Sequence, residues 1–212
     1  MGITNGYATL ADFQAWAGVT NPTAAEDALG ESAVMSASRM VDEHTGRFFW
    51  AQSAATKYAT PIESDSILVD DLVAVTTLKT DDDGDGVFET TWTQGTDFYL
   101  APRNNAVAYP VRPFWEVAVC PGGRYAFIPG RRWHVQILGN WGWAAVPEMV
   151  KTATLIQATR LYKRKDAPFG VAGSSQIAGP IAMKGDEEMD GDAVRLLRGF
   201  VSMVNGRMDD GG

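Results

Sequence analysis

The sequence predicts an α+β protein: a small helical bundle with an inserted antiparallel β subdomain. Three observations lead there. Apolar residues recur every three to four positions before residue 50 and again after residue 142, as in helices with one buried face. Between them the period falls to two, in short runs rich in β-branched and aromatic residues. Turn sequences (D-G-D-G, P-R-N-N, P-G-G, I-P-G-R) separate those runs closely enough for hairpins. The expected division is 1–50, N-terminal helices of the core; 51–141, the β subdomain; and 142–212, a core helix, a long Gly-rich loop, a C-terminal helix and a tail.

Residues 1–8 show no periodicity and read as an arm. Thr9 then caps a short helix, with Asp12 three residues on, apolar Leu10, Phe13, Trp16 and Ala17, and Gly18 as its stop. Thr23 caps the next, from about Ala24 to Thr45. Its apolar positions are Ala25, Leu29, Ala33, Ala37, Met40, Val41 and His44, and Gly46 supplies the left-handed stop. Ala33, Ser36 and Ala37 are small enough for close helix approach, and His44 reads as a residue of the last turn. Strands are expected at Ala55–Thr60, Ile67–Val69, Leu72–Thr80, Val87–Trp92, Phe98–Leu100, Trp115–Cys120, Tyr125–Ile128 and Trp133–Leu138.

A further helix spans Val150–Lys165, entered through Pro147, whose missing N–H costs nothing in a first turn. Glu148 suits its positive end, and Arg160, Lys163, Arg164 and Lys165 suit its negative end. The buried stripe is expected at Val150, Ala153, Thr154, Ile156 or Gln157, Ala158, Leu161 and Tyr162. Residues 167–189 have no pattern, and a loop of that length inside a small domain points to function or disorder. A last helix is expected to be capped by Asp192, with Ala193, Leu196, Leu197, Phe200, Val201 and Val204 on one face and Gly206 as its stop.

Composition narrows the function. At 212 residues, with 45% hydrophobic and 21% charged residues, the chain can bury a core. It has no run of eighteen apolar residues and no basic-then-apolar leader, so neither a membrane span nor a signal is expected. A single cysteine excludes an internal disulfide, and two histidines leave little for a His-rich metal site. A net charge of −8 argues against general nucleic-acid binding.

The motif closest to a ligand site is Asp81-Asp82-Asp83-Gly84-Asp85-Gly86. Asp81, Asp83, Asp85 and Gly86 fall at positions one, three, five and six of a calcium loop, and Glu89 falls at position nine. Position twelve is Trp92 rather than a bidentate Glu, and the flanks read as strands. A solvated hairpin turn competes with a weak Ca²⁺ site held by Asp81, Asp83 and Asp85. Otherwise no cofactor is expected. Catalysis finds no footing: Cys120 lies in the apolar run W-E-V-A-V-C-P and reads as a buried, inert thiol. No G-x-S-x-G motif, zinc-type spacing or phosphate loop appears, so the chain reads as no enzyme.

Two surface features remain. Trp115, Trp133, Trp141 and Trp143 are core residues or, where exposed, interface anchors. Pro61–Leu100 carries ten acidic residues against Lys79 alone, and Arg103, Arg112, Arg124, Arg131 and Arg132 follow. Such segregation suits head-to-tail contact between identical subunits.

The order of motifs resembles the head–tail adaptor (head-completion connector) proteins of long-tailed bacteriophages, in their larger form with a β insertion. The matching stretches are Y-A-T-L-A-D-F-Q-A-W, A-S-R-M-V-D-E-H-T-G-R-F-F, D-G-D-G-V-F-E-T-T-W, the block from N-W-G-W-A-A-V-P-E-M-V to D-A-P-F-G-V-A-G, and the helical C-terminus. The resemblance covers most of the chain. It implies a structural virion protein: a homo-oligomeric ring, dodecameric in the family, assembled in the host cytoplasm. The ring would sit between the portal protein and a tail-side stopper or tail terminator, with genomic DNA passing through its lumen unread. On that view Arg160, Lys163, Arg164, Lys165, Phe169 and Val171 are candidates for the inter-subunit or portal interface. The runner-up is a calcium-dependent β-type module binding a glycan or protein.

Overall fold

The computed structural model describes residues 2–107, 110–166 and 189–202. Among them are four α-helices and a six-stranded antiparallel sheet, so the fold is α+β. The chain forms two compact units, one comprising the residues up to Gly46 with Val146–Val201, the other containing Arg47–Ala145.

The helical unit holds α1 (Leu10–Ala17), α2 (Ala24–Thr45), α3 (Glu148–Lys163) and α4 (Gly191–Leu197). Local sequence sets the ends of the first two. Thr9 and Thr23 each close a capping box, with Asp12 and Glu26, and Gly18 and Gly46 end the helices at φ 68° and 64°. The core between α1, α2 and α3 is Phe13, Ala33, Val34, Ala37, Leu155 and Ala158.

The buried face of α2 differs from the expected one. It runs through Gly30, Ala33, Val34, Ala37, Ser38, Val41 and Thr45, while Leu29 is 47% exposed. Gly30 explains the rotation. A Cβ there would meet Phe13 at 3.0 Å and Leu10 at 3.1 Å, so α1 crosses directly over the missing side chain.

α3 buries Val150, Ala153, Thr154, Leu155, Gln157 and Ala158. Of the two alternatives Gln157 faces inward: its Oε1 accepts from Asp190 N at 3.0 Å, and its Nε2 donates to Met40 Sδ at 3.4 Å. The cap of α4 is Asp190, not Asp192. The Asp190 side chain accepts from Asp192 N at 2.9 Å, whereas Asp192 pairs with Arg195. Val204 and Gly206 lie outside the described residues.

The β unit holds β1 (Gln52–Ala59), β2 (Ser66–Thr80), β3 (Thr90–Trp92), β4 (Phe98–Ala101), β5 (Phe114–Val119) and β6 (Val135–Trp141). Their order is β1-β6-β2-β5-β4, with β3 paired to β2. Ile67–Val69 and Leu72–Thr80 are one strand, because register shifts carry Asp70 and Asp71 through without ending it. Tyr125–Ile128 is no strand; Phe127 instead stacks on Trp92 at 4.7 Å, and Tyr125 lies 5.4 Å from the same indole. Leu72, Leu78, Phe98, Val117, Val135, Ile137 and Trp141 fill the core of the sheet. No helix among the described residues is long and apolar enough to cross a membrane.

Candidate functional site

Three groups of side chains bear on function, and each is placed by its own local chemistry. The first is the basic end of α3. Buried Val150, Ala153 and Ala158 fix the roll of the helix, which leaves Arg160 half-buried and Lys163, Arg164 and Lys165 exposed at its final turns. Lys165 Nζ sits 4.4 Å over the Tyr162 ring and 4.0 Å from the Glu26 carboxylate. Arg160, Lys163 and Arg164 make no ion pair among the described residues. Phe169 and Val171, expected beside them, lie outside those residues.

The second group is the hairpin between β2 and β3. Asp81 is buried, while Asp82, Asp83, Asp85 and Glu89 are exposed. Asp81 organises the turn: Oδ1 accepts from Gly84 N at 2.6 Å and Oδ2 from Gly86 N at 2.9 Å. Burial opposes ionisation of this carboxyl, but the amides and the Arg131 guanidinium outweigh it and hold Asp81 below its usual range. Asp83 Oδ1 accepts from Asp85 N, and Asp85 Oδ1 accepts from Val87 N, each two residues on. Side-chain oxygens of Asp81, Asp83, Asp85 and Glu89 all lie within 4.8 Å of one another. Convergent carboxylates are the donor set a hard cation takes. Glu89, at position nine by spacing, lies with the three aspartates, while position twelve remains Trp92.

Arg131 backs this loop. Its Nη1 donates to the carbonyls of Asp81 and Asp82. His134 Nδ1 lies 2.7 Å from the Asp81 carbonyl, which fixes the proton on Nδ1, since a carbonyl only accepts.

The third group was not legible in the sequence. Arg47 Nη1 and Asp71 Oδ1 form an ion pair, and Trp143 Nε1 donates to Asp71 Oδ2 at 3.0 Å. The Asp71 carbonyl accepts from Gly142 N at 2.7 Å. Phe49 lies 5.3 Å from the Trp143 ring. One aspartate thereby ties the incoming segment of the β unit to its outgoing segment. Burial pushes the Asp71 carboxyl up, and the Arg47 charge and the Trp143 N–H only partly offset that. Its neighbour Asp70 takes a different partner, pairing with Lys57 at 2.6 Å.

The tryptophans divide. Trp141 and Trp143 are core, whereas Trp115 is 41% and Trp133 48% exposed. Trp133 stands at φ 52°, with the Arg132 guanidinium 5.0 Å over its ring. Cys120 is half-buried rather than buried, because β5 ends at Val119 and the cysteine opens the following turn.

No protein-family model matches the sequence, and no curated protein does either. Solved structures do match. The chain aligns over 98% of its length, and over 96% of the other, with a chain described as "Neck of empty GTA particle computed with C6 symmetry", at TM-score 0.56 and 18% identity. The shared fold is that of a particle-neck chain. A second match is a chain of the "Virion of native gene transfer agent (GTA) particle". It aligns over 97% of this protein and 95% of its own length, at TM-score 0.51 and 19% identity. The match spans both units, so the inserted sheet is part of the shared fold.

Proposed function

We propose that the protein is a structural component of a virion neck: a head-to-tail adaptor that assembles as a ring between the portal protein and a tail-side stopper or terminator. The observation that carries the reading is the fold shared, nearly end to end, with a chain from the neck of a GTA particle. Its work is mechanical and non-enzymatic: to hold subunits in register around a passage for DNA. A net charge of −8 suits such a passage, because like charge keeps the phosphate backbone from adhering. Arg160, Lys163, Arg164 and Lys165 are the described residues assigned to the inter-subunit or portal interface, in line with the exposure of the last three at one helix end. The test is to mix the purified chain with portal rings and image them. Rings capped by additional density support the adaptor; portals that stay bare at saturating protein overturn it.

A further inference from the structure

Among the described residues, two exposed patches carry a run of like charge. The β2–β3 hairpin exposes Asp82, Asp83, Asp85 and Glu89, and none of these carboxylates is in an ion pair among the described residues. The end of α3 offers Arg160, Lys163 and Arg164, spaced three and four apart on one helical face and likewise unpaired among those residues. The arginines of the β unit form no comparable patch. Arg131 is turned onto the carbonyls behind the hairpin, and Arg103, Arg124 and Arg132 lie singly over Tyr99, Tyr125 and Trp133 in separate turns.

The geometry points to the last turn of α3 as a docking surface for a second copy of this chain, whose β2–β3 hairpin is the occupant. The contact is heterologous: hairpin on one side, helix end on the other. Repetition of such a contact generates a ring when the rotation closes. The hairpin is pre-shaped for the role, since Asp81 ties the loop through Gly84 and Gly86 while the neighbouring carboxylates stay exposed. Little ordering entropy remains to be lost on docking. Cationic side chains at a helix C-terminus also complement the helix dipole, which keeps them there in the free subunit. This inference rests on the ring reading and names which surfaces of two copies meet.

Two variants of the full chain test it: Asp82→Lys with Asp83→Lys, and Lys163→Glu with Arg164→Glu. Association is measured by sedimentation at high protein concentration in about 10 mM salt, where the screening length is about 30 Å. The wild type is expected to associate, and each variant alone to do so about a hundredfold more weakly, since like charges now face each other. An equal mixture of the two should associate again, because each hairpin then finds a helix end of opposite sign. Thermal melts establish that both variants fold. Should the hairpin variant fail to fold, carbodiimide cross-linking of the wild type decides the matter: it should join Lys163 to a hairpin carboxylate between chains. A wild type that stays monomeric, variants that associate as it does, a mixture no better than its parts, or cross-links elsewhere would each overturn the assignment. Portal rings capped by either variant alone would still uphold the adaptor while removing this contact from it.

Discussion

Trp143 Nε1 donates to Asp71 Oδ2 at 3.0 Å, on the same carboxylate that pairs through Oδ1 with Arg47. Asp71 lies five residues past the start of β2 and Trp143 two past the end of β6, far apart in sequence. Their bond closes the β unit where its incoming and outgoing segments meet. Asp71→Ala removes both partners at once and leaves Arg47 facing a low-dielectric pocket, so it should lower stability by about 3 kcal/mol. Trp143→Phe keeps a ring against Phe49 and loses the N–H, for about 2 kcal/mol. Urea melts of the full chain measure both. Equal and small losses would show that the carboxylate does not bind the two segments together.

Asp12 joins the cap of α1 to α3. Its carboxylate accepts from Thr9 N at 3.0 Å and from Lys151 Nζ at 2.7 Å. The hydrogen bond from Lys151, followed by those from Thr9, lowers its pKa from 3.8 to about 2. A carboxylate whose folded pKa lies below its unfolded value stabilises fully above the unfolded value and progressively less as pH falls through the folded one. The difference in Tm between wild type and Asp12→Asn should therefore be constant near neutrality and narrow from pH 3.8 towards about 2. Thr9→Ala should cost about 1 kcal/mol, and part of that loss should fade over the same acid range, because the Thr9 hydroxyl also donates to the Asp12 carboxylate.

Gly142 and Gly18 both hold positive φ, 83° and 68°. A Cβ at Gly142 would run into the Trp50 carbonyl, while one at Gly18 meets nothing. Gly18→Ala then bears only the left-handed penalty, about 1 kcal/mol. Gly142→Ala must also push backbone apart and should cost about 3 kcal/mol. Similar losses at the two positions would show that the segment around Trp50 yields freely.

The acidic turn gives a prediction about ions. Both oxygens of Asp81 already accept backbone amides, so Asp81→Ala should lower Tm by the same amount in EDTA and in millimolar calcium. A calcium-dependent rise in the wild type that the variant lacks would instead assign Asp81, Asp83, Asp85 and Glu89 to a bound cation, and would favour the calcium-dependent module.

Much of the helical unit was legible because its signals are local. Thr9 with Asp12, Thr23 with Glu26, and Gly18 and Gly46 fix helix ends through hydrogen bonds spanning three to five residues. Asp190 shows the limit: two aspartates stood two apart, and the choice fell to Asp190 because Gln157 of α3 accepts its backbone N–H. The basic end of α3 could be read from four cations in six residues. Which of them face solvent unpaired depended on Tyr162 and Glu26 taking Lys165.

The sequence by itself determined the class of the fold, the caps of the first two helices and the acidic turn, since propensity, capping and Asx-type bonds act over a few residues. Only the tertiary structure decided which strands are neighbours. β6 lies between β1 and β2, and one continuous β2 serves β6, β5 and β3 at once. It also decided that α2 turns its Gly30 face to α1, that Trp141 is core while Trp133 is surface, and that Asp71 holds Arg47 and Trp143. The physical reason is common to all of these. Burial and pairing are properties of contacts between segments far apart in the chain, and no local pattern of residues carries the position of its partner.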